Sequence, residues 1–428
     1  MPTAAGSFTG SRHRGLPRPQ RLVMAFYDQG TVTQNPLGNR GYAAHFRVWE
    51  SRGRRLDLLS SRRSSRRCVH EFRARTQRPE YEEFAVTRGD VHLCGSVPLP
   101  NAEAVFDTAA RRLGPWLSRI PDGETGERDN FTVWQLPRMG AHPDLETVPP
   151  PSPEYGPSER VRPKPGVDPA SIDFGELGYA QAALESWSVF RKLRERGDID
   201  AGVRFQVCLP TPISVVGAFV GDPQDILEQR YEAALLAELG RIAAEIPHTD
   251  LAVQWDCPVE FAIFEGVFPS WFGADDDTRL SEIVARLVRL GAAVPGNVEL
   301  GYHLCYGDFG HRHFAEPADT GRMVAVLSGV LAALPRRVDW VHMPVPRSRA
   351  DREYFAPLAG LDLPPQTRLY LGLVHATDGR DGALRRIAGA REIVDGFGIA
   401  TECGFGRRPA EHIPDLLDLH AELAAMLS

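Results

Sequence analysis

Residues 250–304, DLAVQWDCPVEFAIFEGVFPSWFGADDDTRLSEIVARLVRLGAAVPGNVELGYHL, decide the fold. A short apolar run at 250–256 is followed by apolar residues three and four apart over 278–292, then by a second short apolar run at 298–304. Runs of that length bounded by Gly and Pro read as buried strands, and the 3.6-residue spacing between them reads as a helix. Two strands separated by a helix pair in parallel through a right-handed crossover. Working outward, the same unit recurs. Candidate strands fall at 91–96, 117–121, 203–209, 250–256, 298–304, 338–343, 368–374 and 397–403. Helix-like stretches fall at 101–113, 170–196, 223–246, 278–292, 316–334, 381–393 and 411–427. Eight strand–helix units with no glycine-rich phosphate fingerprint after the first strand predict an α/β chain folded as a (β/α)8 TIM barrel rather than a doubly wound sheet.

Composition agrees with a folded enzyme-sized chain. Of 428 residues, 43% are hydrophobic and 25% charged, enough apolar mass for a sizeable core. No apolar run approaches a membrane span. Six cysteines are too few for a disulfide scaffold, so a reduced, cytoplasmic protein is expected, with cysteines as core residues or ligands.

The net charge of −7 is unevenly placed. Residues 1–80 hold 16 Arg, no Lys and five acidic residues, including the run Ser60–Arg67, SSRRSSRR. This stretch lacks sustained apolar periodicity and has few aromatics. Residues 1–88 are therefore expected to be a disordered Arg-rich extension, or to precede a true start at Met24 or near Val86; residues 89–428 form the barrel domain. Nucleic acid and membrane are not expected as partners.

Residues 136–169 contain ten prolines and read as a lid or disordered insertion after the second strand. They leave the C-terminal end of that strand, where barrel active sites are built. Polar residues collect at these strand ends: Ser96, Asp122, Glu124, Thr211, Asp256, Glu260, His303, Cys305, His342, His375, Glu402 and Cys403. His303 and Cys305 share one strand face, and Cys403 leaves the last strand at the same height. Two thiolates and an imidazole suit Zn2+ with an open fourth position, the pattern of a catalytic site. His342 is the candidate fourth ligand. Cys68, Cys94, Cys208 and Cys257 are read as non-ligands.

These motifs resemble the catalytic barrel of the cobalamin-independent methionine synthase family, which shares its fold with uroporphyrinogen decarboxylase. Gly95-Ser96-Val97-Pro98, Asp122-Gly123-Glu124 with Glu127-Arg128, and Leu209-Pro210-Thr211-Pro212 follow the family order. So do Gln254-Trp255-Asp256 with Glu260, His303-Leu304-Cys305-Tyr306 and Glu402-Cys403-Gly404. The resemblance implies zinc held by His303, Cys305 and Cys403, and substrate contacts from Ser96, Glu124 and Asp256. Three departures stand out. His342 replaces the family's zinc-binding glutamate, Gly217 falls near its pterin-stacking tryptophan, and Thr377 aligns with its catalytic histidine while His375 lies two positions earlier.

The expected activity is zinc-dependent alkyl (methyl) transfer to a small-molecule thiol from an alkyl donor, without assuming folate-dependent methionine synthesis. Catalytic roles are expected for His375, Glu124 and Asp256, and substrate contacts for Ser96, Asp122, Arg128, Thr211 and Glu260. The alternatives are a metal-independent decarboxylase or lyase using Asp122, Glu124 and Arg128, or a non-enzymatic zinc-binding protein.

Overall fold

The apolar runs become seven parallel strands: β1 (Arg119–Pro121), β2 (Arg204–Pro210), β3 (Leu251–Asp256), β4 (Glu299–His303), β5 (Trp340–Pro344), β6 (Arg368–Val374) and β7 (Gly398–Thr401). They form one α/β sheet in strictly sequential order, from β1 at one edge to β7 at the other. In this computed structural model the described residues are 90–149, 159–307, 312–406 and 408–427, with strand fragments between Ala25 and Leu56. Contacts divide the chain into two units, Met1–Glu82 and Glu83–Ser428. In the first, two- and three-residue strands pair antiparallel, for example Ala25–Phe26 with Arg47–Trp49. The disorder expected over 1–88 otherwise lies outside the described residues.

Among the described residues of the second unit seven longer helices accompany the strands: α1 (Ala102–Leu113) before β1, α2 (Tyr179–Glu195), α3 (Gln224–Glu245), α4 (Asp276–Ala293), α5 (Gly321–Ala333) and α6 (Gly379–Arg391) between strands, and α7 (Ile413–Leu427) after β7; only the short helical turns Arg352–Phe355 and Ala356–Gly360 lie between β5 and β6. Their apolar faces pack on the strands in one continuous core that includes Phe106, Phe190, Phe205, Trp255, Leu287, Val326, Leu371 and Leu417. Side-chain caps fix helix starts: Asn101 accepts from Ala104 N and Asp275 from Thr278 N, each worth about 1 kcal/mol.

The expected first strand, 91–96, is reduced to a seam. Val91 makes isolated parallel bridges to Leu117, just before β1, and to Ile399 in β7. Val91 N donates to Trp116 O, His92 N to Ile399 O, and Ile399 N to Asp90 O. One residue thus sits between the two edge strands, and the sheet curls round to meet it.

Inside the curl, Ala252, Trp340 and Tyr370 form a small separate cluster. Arg119 lies 3.9 Å over the Trp340 ring and pairs with Glu299, which also binds Arg204. Gly301 stands opposite Trp340 in the β4–β5 register, and a Cβ there would come 1.9 Å from the indole. The indole therefore fills the space that any side chain at 301 would need.

A further expectation needs correction. The helix drawn over 170–196 begins at Tyr179, because the Glu238 carboxylate takes the amides of Leu177, Gly178 and Ala180 at its start. The Pro-rich insertion carries a hairpin, Leu145–Val148 with Arg160–Pro163. Short helices Pro212–Phe219 and Pro258–Phe264 follow β2 and β3 directly. Among the described residues no helix is long and apolar enough to cross a membrane.

Candidate metal and substrate site

His303 ends β4 and Cys305 follows two residues later; Cys403 lies two residues beyond the end of β7. The sheet brings these distant segments together. His303 Nε2 is 3.6 Å from Cys403 Sγ, and Cys403 Sγ is 3.6 Å from Cys305 Sγ. All three donor atoms lie within 4.8 Å of one another. Bonds of about 2.3 Å to sulfur and about 2.0 Å to nitrogen at tetrahedral angles give edges of about 3.8 Å between sulfurs and about 3.5 Å between sulfur and nitrogen. The two measured edges match, so the donor set fits a zinc ion in both chemistry and size. The amide of Gly307 donates to Cys305 Sγ at 3.2 Å.

His342 in β5 faces His303 across the register pair. Its Nδ1 is 2.6 Å from His303 Nδ1, and its Nε2 is 2.9 Å from the Thr401 carbonyl. Both of its ring nitrogens are thus engaged away from the two sulfurs. Burial holds both imidazoles neutral, pulling His303 well below its usual range and His342 down to about 4.

Beside this triangle lies a second group, Glu124, Cys208 and Asp256, again within 4.8 Å. Glu124 follows Gly123 in a turn where Gly123 has φ +80 and a Cβ would come 2.6 Å from Val105. Glu124 itself adopts φ 49, held by its amide donating to Asp122 Oδ1. Asp256 ends β3, and Gln254 Nε2 donates to its Oδ1 at 2.8 Å and to the Cys94 carbonyl at 2.6 Å. Gln254 Oε1 meets His92 Nε2 at 2.8 Å and accepts from Trp340 Nε1 at 3.3 Å, linking the site to the packed interior below. Burial, then the nearby Glu124, raises Asp256 well above the ordinary carboxylate range.

The other expected residues are distributed around these groups. Arg128 donates to Asp122 Oδ2 at 2.7 Å, and Asp122 also accepts from Ser186 Oγ, so this pair is internally satisfied. Thr211 caps the helix after β2, and Ser214 Oγ bridges toward Glu260 Oε2 at 3.4 Å. Burial raises Glu260 to about 7, and its Oε1 is unpartnered. Ser96 is buried, its backbone oxygen accepting from Phe405 N. His375 Nε2 lies 2.8 Å from the Val345 carbonyl and Nδ1 lies 3.3 Å from Glu402 Oε2. Arg408 donates to Glu402 Oε1 at 2.6 Å. Burial pushes Glu402 up, but His375 and Arg408 together leave it below its usual value.

Sequence reasoning set Cys94 and Cys208 aside as non-ligands. Cys94 stands within 4.8 Å of His303 and His342, and Cys208 within 4.8 Å of Glu124 and Asp256. Their strand parity was the available signal: Cys94 is two residues from both His92 and Ser96, and Cys208 two from Gln206. Trp271 also went unnoticed; its indole lies against Gly217 and donates to Glu228.

The architecture is similar to that of B12-independent methionine synthases. A protein from Listeria monocytogenes assigned to that activity superposes with TM-score 0.51 and 14% identity, over 80% of this chain and 99% of the other. A B12-independent methionine synthase from Shewanella sp. W3-18-1, in complex with selenomethionine, gives TM-score 0.52 and 14% identity, over 79% and 96%. At such identities the likeness establishes the fold. No family model matches the chain, and no curated protein matches it by sequence.

Proposed function

We propose that this chain is a (β/α)8-barrel enzyme that transfers an alkyl group, methyl in the simplest case, to a thiol with the help of zinc. One observation carries the reading: His303 Nε2 and Cys305 Sγ each lie 3.6 Å from Cys403 Sγ, close to tetrahedral edge lengths, and all three donor atoms fall within 4.8 Å of one another. These three residues would hold the metal and leave a position open. Zinc supplies a positive centre that keeps a substrate thiol, whose ordinary pKa is about 8.5, ionised near neutrality.

The reaction joins sulfur to the alkyl carbon, breaks the carbon–donor bond and returns a proton to the leaving group. Glu124 and Asp256 form an acidic recess suited to an ammonium group on the thiol substrate; a cation there stabilises the charged form that burial disfavours in Asp256. Ser96, whose Oγ lies against Gly404 just after Cys403, is a further substrate contact in this reading. His375 is the proton carrier in this scheme, with Glu402 beside its Nδ1 and Nε2 exchanging the Val345 carbonyl for the leaving group. Arg128 and Asp122 keep the Glu124 turn in place. Trp271 fills the space beside Gly217, which supports a donor other than a stacked pterin.

The test is metal analysis of purified protein, followed by methyl-transfer assays with a panel of small thiols. About one zinc per chain is expected for wild type and none for the Cys305→Ser/Cys403→Ser variant. A folded wild-type protein that neither contains nor takes up zinc overturns the reading.

A further inference from the structure

We infer that His342 is a positioning residue and not a metal ligand: it orients His303 through an imidazole–imidazole hydrogen bond anchored on the Thr401 carbonyl. The inference rests on the zinc reading above and settles what the departure from a glutamate at this position does.

The hydrogen-bond chain has one self-consistent reading. A carbonyl oxygen only accepts, so His342 Nε2 carries the proton at its 2.9 Å contact with Thr401. A His303 that ligates through Nε2 carries its proton on Nδ1 and donates it to His342 Nδ1 at 2.6 Å. His303 is left with a bare Nε2, the atom that faces Cys403 Sγ at 3.6 Å. A metal-ligating histidine is ordinarily oriented in this way, by a hydrogen bond from its other ring nitrogen. His342 falls outside the His303–Cys305–Cys403 group; its own neighbours within 4.8 Å are His303 and Cys94, and the Cys94 thiol is turned to the Thr401 carbonyl at 3.9 Å.

The arrangement also joins three strands. His303 comes from β4, His342 from β5, and Thr401 from β7, two residues before Cys403. The contacts run from His303 to His342, to the Thr401 carbonyl, along the chain to Cys403 and back to His303. Rotating His303 away from the sulfurs would break the bond to His342, and His342 cannot follow without releasing Thr401. With His342 in this role, the protein supplies three ligands and the fourth position belongs to a substrate.

Two measurements test this. X-ray absorption on zinc-loaded wild type counts the imidazoles bound to the metal: one is expected, and two overturn the inference while leaving the zinc reading intact. His342→Phe keeps the ring volume and removes both hydrogen bonds. Chelator competition should show metal affinity weakened about 10–100-fold, with about one metal per chain retained at saturating metal. The cobalt-substituted variant should keep the wild-type four-coordinate spectrum, and His342→Gln should recover part of the affinity. A Phe variant that folds but no longer binds metal, or whose cobalt spectrum shows a lost nitrogen ligand, overturns the inference. If the Phe variant does not fold, the wild-type imidazole count decides. Wild type that takes up no metal refutes the zinc reading itself, a different outcome from either.

Discussion

Gly301→Ala tests whether the packed interior supports the site above it. The added Cβ would fall 1.9, 2.2 and 2.4 Å from three atoms of the Trp340 indole. Ordinary carbon contacts are about 3.5–4.0 Å, so the ring must retreat by about 1.5–2 Å. It has little room, with Arg119 over its face at 3.9 Å and its Nε1–H bonded to Gln254. Overpacking of a filled core costs about 1–3 kcal/mol. At roughly 2–4 °C per kcal/mol for a large domain, the midpoint should fall by roughly 2–12 °C. Differential scanning fluorimetry with matching urea titrations reads this directly. Gly240→Ala is the control: it lies within α3, a Cβ there meets nothing within 4 Å, and helix propensity favours the change by about 0.5–1 kcal/mol. Equal midpoints for Gly301→Ala and wild type would refute the claim that Trp340 fills this space.

Two further substitutions probe charge. Asp256→Asn keeps an acceptor for Gln254 and removes a carboxyl whose folded pKa is raised by burial and by Glu124. A raised carboxyl disfavours the folded state once pH exceeds the ordinary value of 3.8, so the variant should be more stable than wild type above neutrality. The gain should vanish at or below that pH in urea titrations, while thiol methylation is lost; a variant less stable than wild type above neutrality contradicts the argument. Arg386→Met removes a guanidinium only 1% exposed that binds both Asp378 oxygens and the Leu373 and Arg347 carbonyls. The loss should be near the lower end of about 3–5 kcal/mol, since the Asp378 side chain is 22% exposed, and adding Asp378→Asn should restore part of it. A urea midpoint unchanged by Arg386→Met would show that the clamp contributes nothing.

Much of the layout was legible because parallel strands covered on both faces read as apolar runs separated by helical periodicity. The run 368–374 matches β6 residue for residue, and 250–256 misses β3 by one. The first strand misled, since an apolar run does not say how many residues find a partner, and only Val91 bridges. The short helices after β2 and β3 were missed because Ile213–Phe219 and Val259–Phe264 are apolar with little periodicity. At the site, His303 and Cys305 were legible as an i, i+2 pair on a strand. The engagement of His342 was not, because it depends on a backbone carbonyl 59 residues away that carries no residue signature. The pairing of Asp122 with Arg128 was likewise hidden: proximity in sequence allowed either an ion pair or two separate substrate contacts.

The seam at Asp90–His92 sets a practical boundary for anyone trimming the chain. Those three residues wedge between Leu117 and Ile399 through a handful of backbone bonds, and His92 also stacks on Tyr370 at 4.9 Å. Cutting ahead of Asp90 spares the wedge; cutting even two residues beyond it removes the backbone bonds to Trp116 and Ile399 and strips Gln254 of its imidazole neighbour.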